Sequence, residues 1–345
     1  MEKEGILYKS MPGERAVCNL CARRCNIPKG GLGFCGVRKN NNGKIFSTVY
    51  GKIAALNIDP IEKKPLFHFK PGARMLSVGT VGCNFNCQYC QNWDLSHEHE
   101  PMGKDIMPDE LVKLGLEQSV DGLTYTYNEP TVFMEYALDV AKEARKHKLF
   151  NTFVTNGYMT GESAELAAKY IDAITVDFKG NANINFVRKY ISILSDDPIF
   201  ETLKILKEKK VFIEITDLII PKVGDSLQDA KKLVLWIRDN LGPDTPMHFL
   251  RFYPEFKMQN IPETPIETLV EHHNMAKEAG MNYVYIGNVP GHEFENTYCP
   301  NCGALLIKRF SFDIVEYNIT KELRCPDCGE KINIKIEPTI KKVIR

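Results

Sequence analysis

The stretch 82-GCNFNCQYCQNW-93 sets Cys83, Cys87 and Cys90 in a C-x3-C-x2-C run. It follows directly on 74–80, a short apolar run that reads as a strand. Thiolates are the ligands of iron–sulfur clusters, and the usual protein site supplies four of them. Three leave one iron without a protein ligand, and an open coordination position can take a substrate, as it does in catalytic zinc sites. The alternative is a closed metal site whose fourth ligand comes from elsewhere, such as His97.

Working outward, further strand-like runs lie near 122–127, 151–155, 173–178, 211–219, 247–252 and 282–286. They are short, β-branched and aromatic, as buried strands are. Helical patterns separate them. Asp109 to Gln118 follows Pro108, which suits a helix start. Thr131 to His147 has apolar positions at helical spacing, and further helices fit 162–169, 199–209, 227–239 and 264–279. This alternation predicts an α/β domain with a parallel sheet over residues 71–290. Pattern alone does not separate a closed or partial barrel from an open doubly wound sheet. Residues 1–70 form a Cys-rich N-terminal module with Gly-rich turns such as 29-KGGLG-33. Residues 291–345 form a C-terminal module with β-rich runs such as 331-KINIKIEP-338.

The 11 cysteines all fall into three groups, which argues for metal sites rather than a disulfide framework. The last group, 299-CPNCG-303 and 325-CPDCG-329, supplies Cys299, Cys302, Cys325 and Cys328 as a zinc ribbon. A redox C-x2-C pair would need only one such motif. The first group, 18-CNLCARRCNIPKGGLGFCGVR-38, offers Cys18, Cys21, Cys25 and Cys35. Four thiolates can hold Zn²⁺ or a second [4Fe–4S] cluster; the spacing is not the ferredoxin type and leans toward zinc. Arg23 and Arg24 either neutralise thiolate charge or are solvated.

Lys+Arg and Asp+Glu both number 44, so the net charge is zero and supports neither a nucleic-acid nor a membrane-surface partner. The start, MEKEGILYKS, lacks the apolar stretch of a secretory signal, and no apolar run is long enough to span a bilayer. A cytoplasmic location is expected.

The triplet after a first strand resembles the radical S-adenosylmethionine (SAM) superfamily. The resemblance implies a partial (β/α)6 barrel, a [4Fe–4S] cluster on Cys83, Cys87 and Cys90, and SAM on the open iron. A low-potential electron donor is implied with it. In that family a 5′-deoxyadenosyl radical then abstracts hydrogen from the substrate. Tyr89 holds the place of an aromatic beside the adenine, or simply packs. The segment 124-TYTYNEP-130 is similar to the Gly-Gly-Glu-Pro of pyruvate formate-lyase activating enzyme relatives, with Tyr127 and Asn128 replacing the glycines. It implies that Asn128, Glu129 and Pro130 lie at the SAM amino group; Glu129 could instead be a helix N-terminal charge. The segment 153-FVTNGY-158 puts Thr155 and Asn156 by the ribose or carboxylate, with Gly157 in the turn. In 176-VDFKG-180, Asp177 and Lys179 share one strand face, as cofactor contacts or as a structural pair. His248 and Arg251 are pocket or packing residues.

The N-terminal spacing with 35-CGVR-38, the stretch 57-NIDPIEKKPLFHFKPG-72 and 286-IGNVPGHEFENTYCPNCG-303 resemble the AmmeMemoRadiSam system radical SAM enzymes. That resemblance implies Memo-like and AMMECR-type proteins as partners or substrates. It also implies an oxidoreductase of the activating-enzyme kind, making a glycyl radical on a protein. The alternatives are a small-molecule substrate and a non-enzymatic zinc-binding adaptor with an inactive barrel.

Overall fold

In a computed structural model, residues 2–335 are described. The central sheet is built where the β-branched runs lie: β1 (Ala55–Pro60), β2 (Arg74–Gly79), β3 (Gly122–Tyr125), β4 (Phe150–Thr155), β5 (Ala173–Lys179), β6 (Phe212–Ile219), β7 (Met247–Arg251) and β8 (Val284–Gly287). Their spatial order follows the chain from β1 to β8. Strands β2 to β8 pair in parallel, whereas β1 runs antiparallel to β2, with Ala55 opposite Gly79 and Pro60 opposite Arg74. Among the described residues β1 and β8 do not pair, so the sheet is not closed by hydrogen bonds. The parallel strands are apolar on one face, where Val78, Tyr125, Phe153, Val176, Ile215, Phe249 and Ile286 are buried, and largely polar on the other, where Ser77, Thr124, Thr152, Thr175, Glu214 and His248 are buried.

Helices α1 (Pro108–Glu117), α2 (Met134–Lys146), α3 (Gly161–Ala168), α4 (Asp197–Glu208), α5 (Leu227–Leu241) and α6 (Ile266–Glu278) connect these strands. They fall where the periodicity predicts, with one difference. The expected helix from Thr131 begins as a 3-10 turn, Pro130–Phe133, before α2. Pro130 offers no N–H, and the Glu129 carboxylate caps the turn by accepting from the Thr131 N–H at 3.0 Å.

The N-terminal residues make two small antiparallel sheets. One joins Lys3–Glu4, Lys44–Ser47 and Arg38–Asn41; the other joins Tyr8–Met11, Arg15–Cys18 and Asn26–Ile27. Because β1 belongs to the central sheet, the N-terminal segment is sewn into the α/β body before residue 70. A buried, two-pronged ion pair reinforces the join: Arg38 donates to Glu135 on α2 at 2.6 and 2.7 Å.

At the other end, Thr297–Tyr298, β9 (Leu305–Phe310) and β10 (Asp313–Tyr317) form a three-stranded antiparallel sheet. Arg309 ties it to the body by donating to the Phe67 carbonyl at 2.9 Å. The expected β-run at 331–338 is not a strand over its described part. Lys331 makes an isolated bridge to Arg324, while Ile332 and Ile334 turn into the module's core instead of laddering. Residues 336–338 of that run lie outside the described residues. Among the described residues no helix is long and apolar enough to cross a membrane.

Candidate active site and cysteine centres

The carboxyl ends of β2 to β5 open on one side of the sheet, where ligands bind in parallel α/β folds. The loop after β2 carries the cysteine triplet and is held by backbone hydrogen bonds on three sides. Gly82 donates to Leu95 at 2.9 Å, Asn86 to Ile191 and Gln88 to Tyr190 at 3.0 Å, and Lys257 to Gln88 at 2.9 Å. Cys83, Cys87 and Cys90 thereby line a single cavity of about 540 Å³. Burial pushes all three thiols up, Cys87 to about 12. Such thiols give up their protons only when a cationic centre replaces the lost solvation. His97, the alternative fourth ligand, does not line this cavity; its ring packs edge-on against Phe256 at 4.8 Å.

Glu129 is buried at the cavity wall. Its Oε1 accepts from the Thr131 N–H (3.0 Å), the Thr131 hydroxyl (2.5 Å) and the Thr155 hydroxyl (2.7 Å), and Oε2 accepts from the Asn156 N–H (2.8 Å). Glu129 therefore caps the turn, and Oε2, with one backbone donor, has acceptor capacity left. Burial raises its pKa against these hydrogen bonds. Asn128 is differently employed. Its amide donates to the Thr80 hydroxyl and the Val81 and Gly82 carbonyls, and its Oδ1 accepts from the Thr80 N–H. It pins the start of the cysteine loop to the end of β3. Asn156 does the same from β4, donating to Asn84 Oδ1 at 2.7 Å. Pro130 does not line the cavity; its part is in the turn.

Tyr89 lines the cavity with its hydroxyl toward the Cys87 sulfur and its ring 5.8 Å from Phe186. Asp177 and Lys179 also line it and pair at 3.1 Å, with Thr216 donating to Asp177. Burial opposes the charge on Lys179, but Asp177 and the Cys87 thiolate outweigh it and raise the pKa. His248 reaches the cavity with Nε2 on Glu214 at 2.9 Å. Arg251 does not; it pairs with Glu263 at 2.8 Å.

Sequence reasoning missed the rim. Lys63 and Lys64 reach the cavity from the stretch after β1, and Glu295, Ser311 and Phe312 from the C-terminal module. The available signal was two aromatics, Phe310 and Phe312, flanking a tight turn and left exposed.

In that module Cys299 and Cys328 have sulfurs 3.5 Å apart, and Cys302 and Cys325 3.7 Å. All four donor atoms lie within 4.8 Å of one another, the compact set that one four-coordinate ion needs. Cys18, Cys21, Cys25 and Cys35 line a separate, small cavity of about 20 Å³ that shares Asn84 with the triplet loop.

Comparison with known proteins supplies the family. The model of the radical SAM superfamily matches residues 77–237, the span that holds the triplet, Glu129, Asn156 and Lys179. An uncharacterised protein of Methanocaldococcus jannaschii is 44% identical over 335 residues, covering 96% of this chain and 99% of its own. The chain belongs to the radical SAM superfamily. A pyruvate formate-lyase-activating enzyme of Clostridium pasteurianum is 26% identical over 178 residues, 49% of this chain and 71% of that one. Among solved structures, a radical SAM methyltransferase from Sphaerobacter thermophilus covers 68% of this chain and 71% of its own at 14% identity, with a TM-score of 0.49. Membership implies a [4Fe–4S] cluster and SAM. The radical SAM site fits that pair: three half-buried thiols share one cavity, and the buried Glu129 carboxylate stands on the same wall. Both terminal cysteine groups lie outside the family match.

Proposed function

We propose that this chain is a SAM-cleaving enzyme whose cluster is held by Cys83, Cys87 and Cys90, and that its hydrogen donor is a protein. The three-thiol cavity with Glu129 on its wall carries the reading. When bound, the cluster supplies one electron to SAM, and the 5′-deoxyadenosyl radical released is the hydrogen-abstracting species. The chain's own residues bind and orient. Glu129 Oε2 accepts from the SAM ammonium, a charge-assisted bond in a buried site. Asn128 and Asn156 keep the cysteine loop in register with the strand ends. Lys179, paired with Asp177, brings positive charge near Cys87 and Cys90. The compact C-terminal quartet takes a structural Zn²⁺: a tetrahedron with Zn–S bonds of about 2.3 Å has edges of about 3.8 Å, close to the sulfur spacing there.

The exposed Phe312 at the cavity mouth favours a polypeptide substrate, since aromatic side chains anchor protein contacts. Memo-like and AMMECR-type proteins are the candidates. A second reading, a small-molecule substrate, is favoured by the way Glu295, Ser311 and Phe312 narrow the same mouth. Reduced enzyme with SAM and each candidate protein should yield 5′-deoxyadenosine and a glycine-centred radical signal. Deoxyadenosine formed without protein and coupled to a changed metabolite would support the second reading. Cys83→Ala, Cys87→Ala or Cys90→Ala should each abolish SAM cleavage; native-rate deoxyadenosine from any of them would sink the assignment.

A further inference from the structure

We propose that Cys18, Cys21, Cys25 and Cys35 hold a second iron–sulfur cluster, closed by four thiolates, and that it relays electrons to the Cys83–Cys90 site. The comparison inside the same chain is the starting point. Among the described residues, the ribbon cysteines form the one set of three or more His, Cys, Asp or Glu whose donor atoms lie within 4.8 Å of one another. The four N-terminal cysteines do not form such a compact set, yet they line one small cavity of about 20 Å³. A single zinc ion would need them drawn to edges of about 3.8 Å. A four-iron cube, with one thiolate at each corner, needs the wider frame.

Backbone bonds fix this frame. Cys18 ends a strand and its N–H donates to the Cys25 carbonyl at 3.0 Å. Cys21 is bridged to Met159 beyond β4. Cys35 sits in a turn closed by Gly36 donating to Gly33 at 2.9 Å. These ties hold the backbone of Cys18, Cys21 and Cys35 around the cavity. Arg23 lines the cavity and brings positive charge to a four-thiolate cluster that is otherwise net negative, while Arg38 beside it is already paired with Glu135.

With all four corners held by thiolates, no iron is open to SAM, so this centre would not duplicate the triplet's chemistry. Its position suits electron transfer. A β-carbon at Gly82 would stand 2.5 Å from the Cys35 carbonyl oxygen, so the two cysteine loops touch. Arg23 bridges them, donating to the Asn84 carbonyl and to the Ser192 carbonyl at 2.6 Å. The balance is simple. A reduced low-potential one-electron carrier gives up one electron, the N-terminal cluster takes it and passes it to the triplet's cluster, and no proton or bond is involved.

Metal analysis of anaerobically prepared full-length protein should give about eight irons and one zinc per chain, at four irons per cube. Four irons with two zincs would overturn the proposal. The C83A/C87A/C90A variant should keep about four irons and a reduced-state EPR signal that SAM leaves unchanged. Loss of that iron while the ribbon zinc stays bound would also overturn it. If the variant fails to fold, the native metal count still decides. Fully reduced native protein should show an EPR spectrum broadened or split relative to the sum of the two separate clusters; a plain sum would remove the relay. These readouts are distinct from SAM cleavage, so failure here leaves the proposed function standing.

Discussion

Tyr127 carries the backbone through a left-handed turn at φ 72°, where the resemblance expects the first of two glycines. A non-glycine residue there costs about 1–3 kcal/mol unless its surroundings hold it. They do: its hydroxyl donates to Asp59 and accepts from Asn57, both at 3.0 Å, and its carbonyl accepts from Asn92 at 3.0 Å. The cysteines and Glu129 stand out in the sequence because few residue types offer their chemistry. The conformation of Tyr127 and the loop-pinning by Asn128 were not legible, because neither follows from residue type. Glu129→Gln is expected to weaken SAM binding about 10- to 100-fold, the loss of one charged hydrogen bond of about 1.5–3 kcal/mol. Equilibrium dialysis checks it, with the cluster absorbance as control; unchanged affinity removes Glu129 from the SAM site. Asp217 makes a pH argument. Burial raises its pKa to about 7, against the Asn181 N–H and Lys179. Folding then takes up a proton between the ordinary carboxylate range and about pH 7. Stability therefore falls as pH rises through that window, by up to about 1.4 kcal/mol per unit. Asp217→Asn should flatten this slope in urea midpoints measured from pH 4 to 7; an unchanged slope would show that another group titrates.

At the scale of elements, the strands and helices of residues 71–290 were readable because each buries a continuous apolar face whose period is visible in one sequence. The attachment of β1 was not readable, since antiparallel pairing of Ala55–Pro60 depends on where the chain returns from residues 61–73. Nor was the contact between cysteine loops. Gly82 is left-handed at φ 84° and faces the Cys35 carbonyl, so two independent constraints require its missing side chain. Gly82→Ala should lower the thermal midpoint and perturb the absorbance of bound iron, read on the same sample. The Arg38–Glu135 pair offers a second test of the join between N-terminal sheet and α2. Truncating either partner strands a buried charge and should cost about 3–5 kcal/mol. Removing both should cost less than the sum, measured as a double-mutant cycle in urea; additive losses would show that the pair does not couple.

The whole molecule puts three cysteine centres around one α/β body. The ribbon is not an appendage. Arg309 crosses from its sheet to the Phe67 carbonyl, and His68 joins the Asn333 carbonyl at 2.8 Å and the Tyr285 hydroxyl at 2.5 Å. Cys325→Ser is therefore expected to lower the thermal midpoint of the whole chain while sparing the triplet's cluster absorbance. Separate melting of a C-terminal unit would contradict this. Cysteine grouping divides the sequence into three stretches, but how they pack together was not legible, because it rests on pairs far apart in sequence with no shared pattern.

Arg38 and Glu135 are separated by 97 residues. During synthesis the guanidinium thus emerges long before its carboxylate, by roughly 5–20 s at about 5–20 residues per second. Throughout that interval the four N-terminal cysteines are on a segment whose anchoring helix does not yet exist. Metal delivered to the nascent chain would meet unframed thiols open to whichever ion arrives first. Loading of the proposed N-terminal centre is therefore expected only after translation has passed α2.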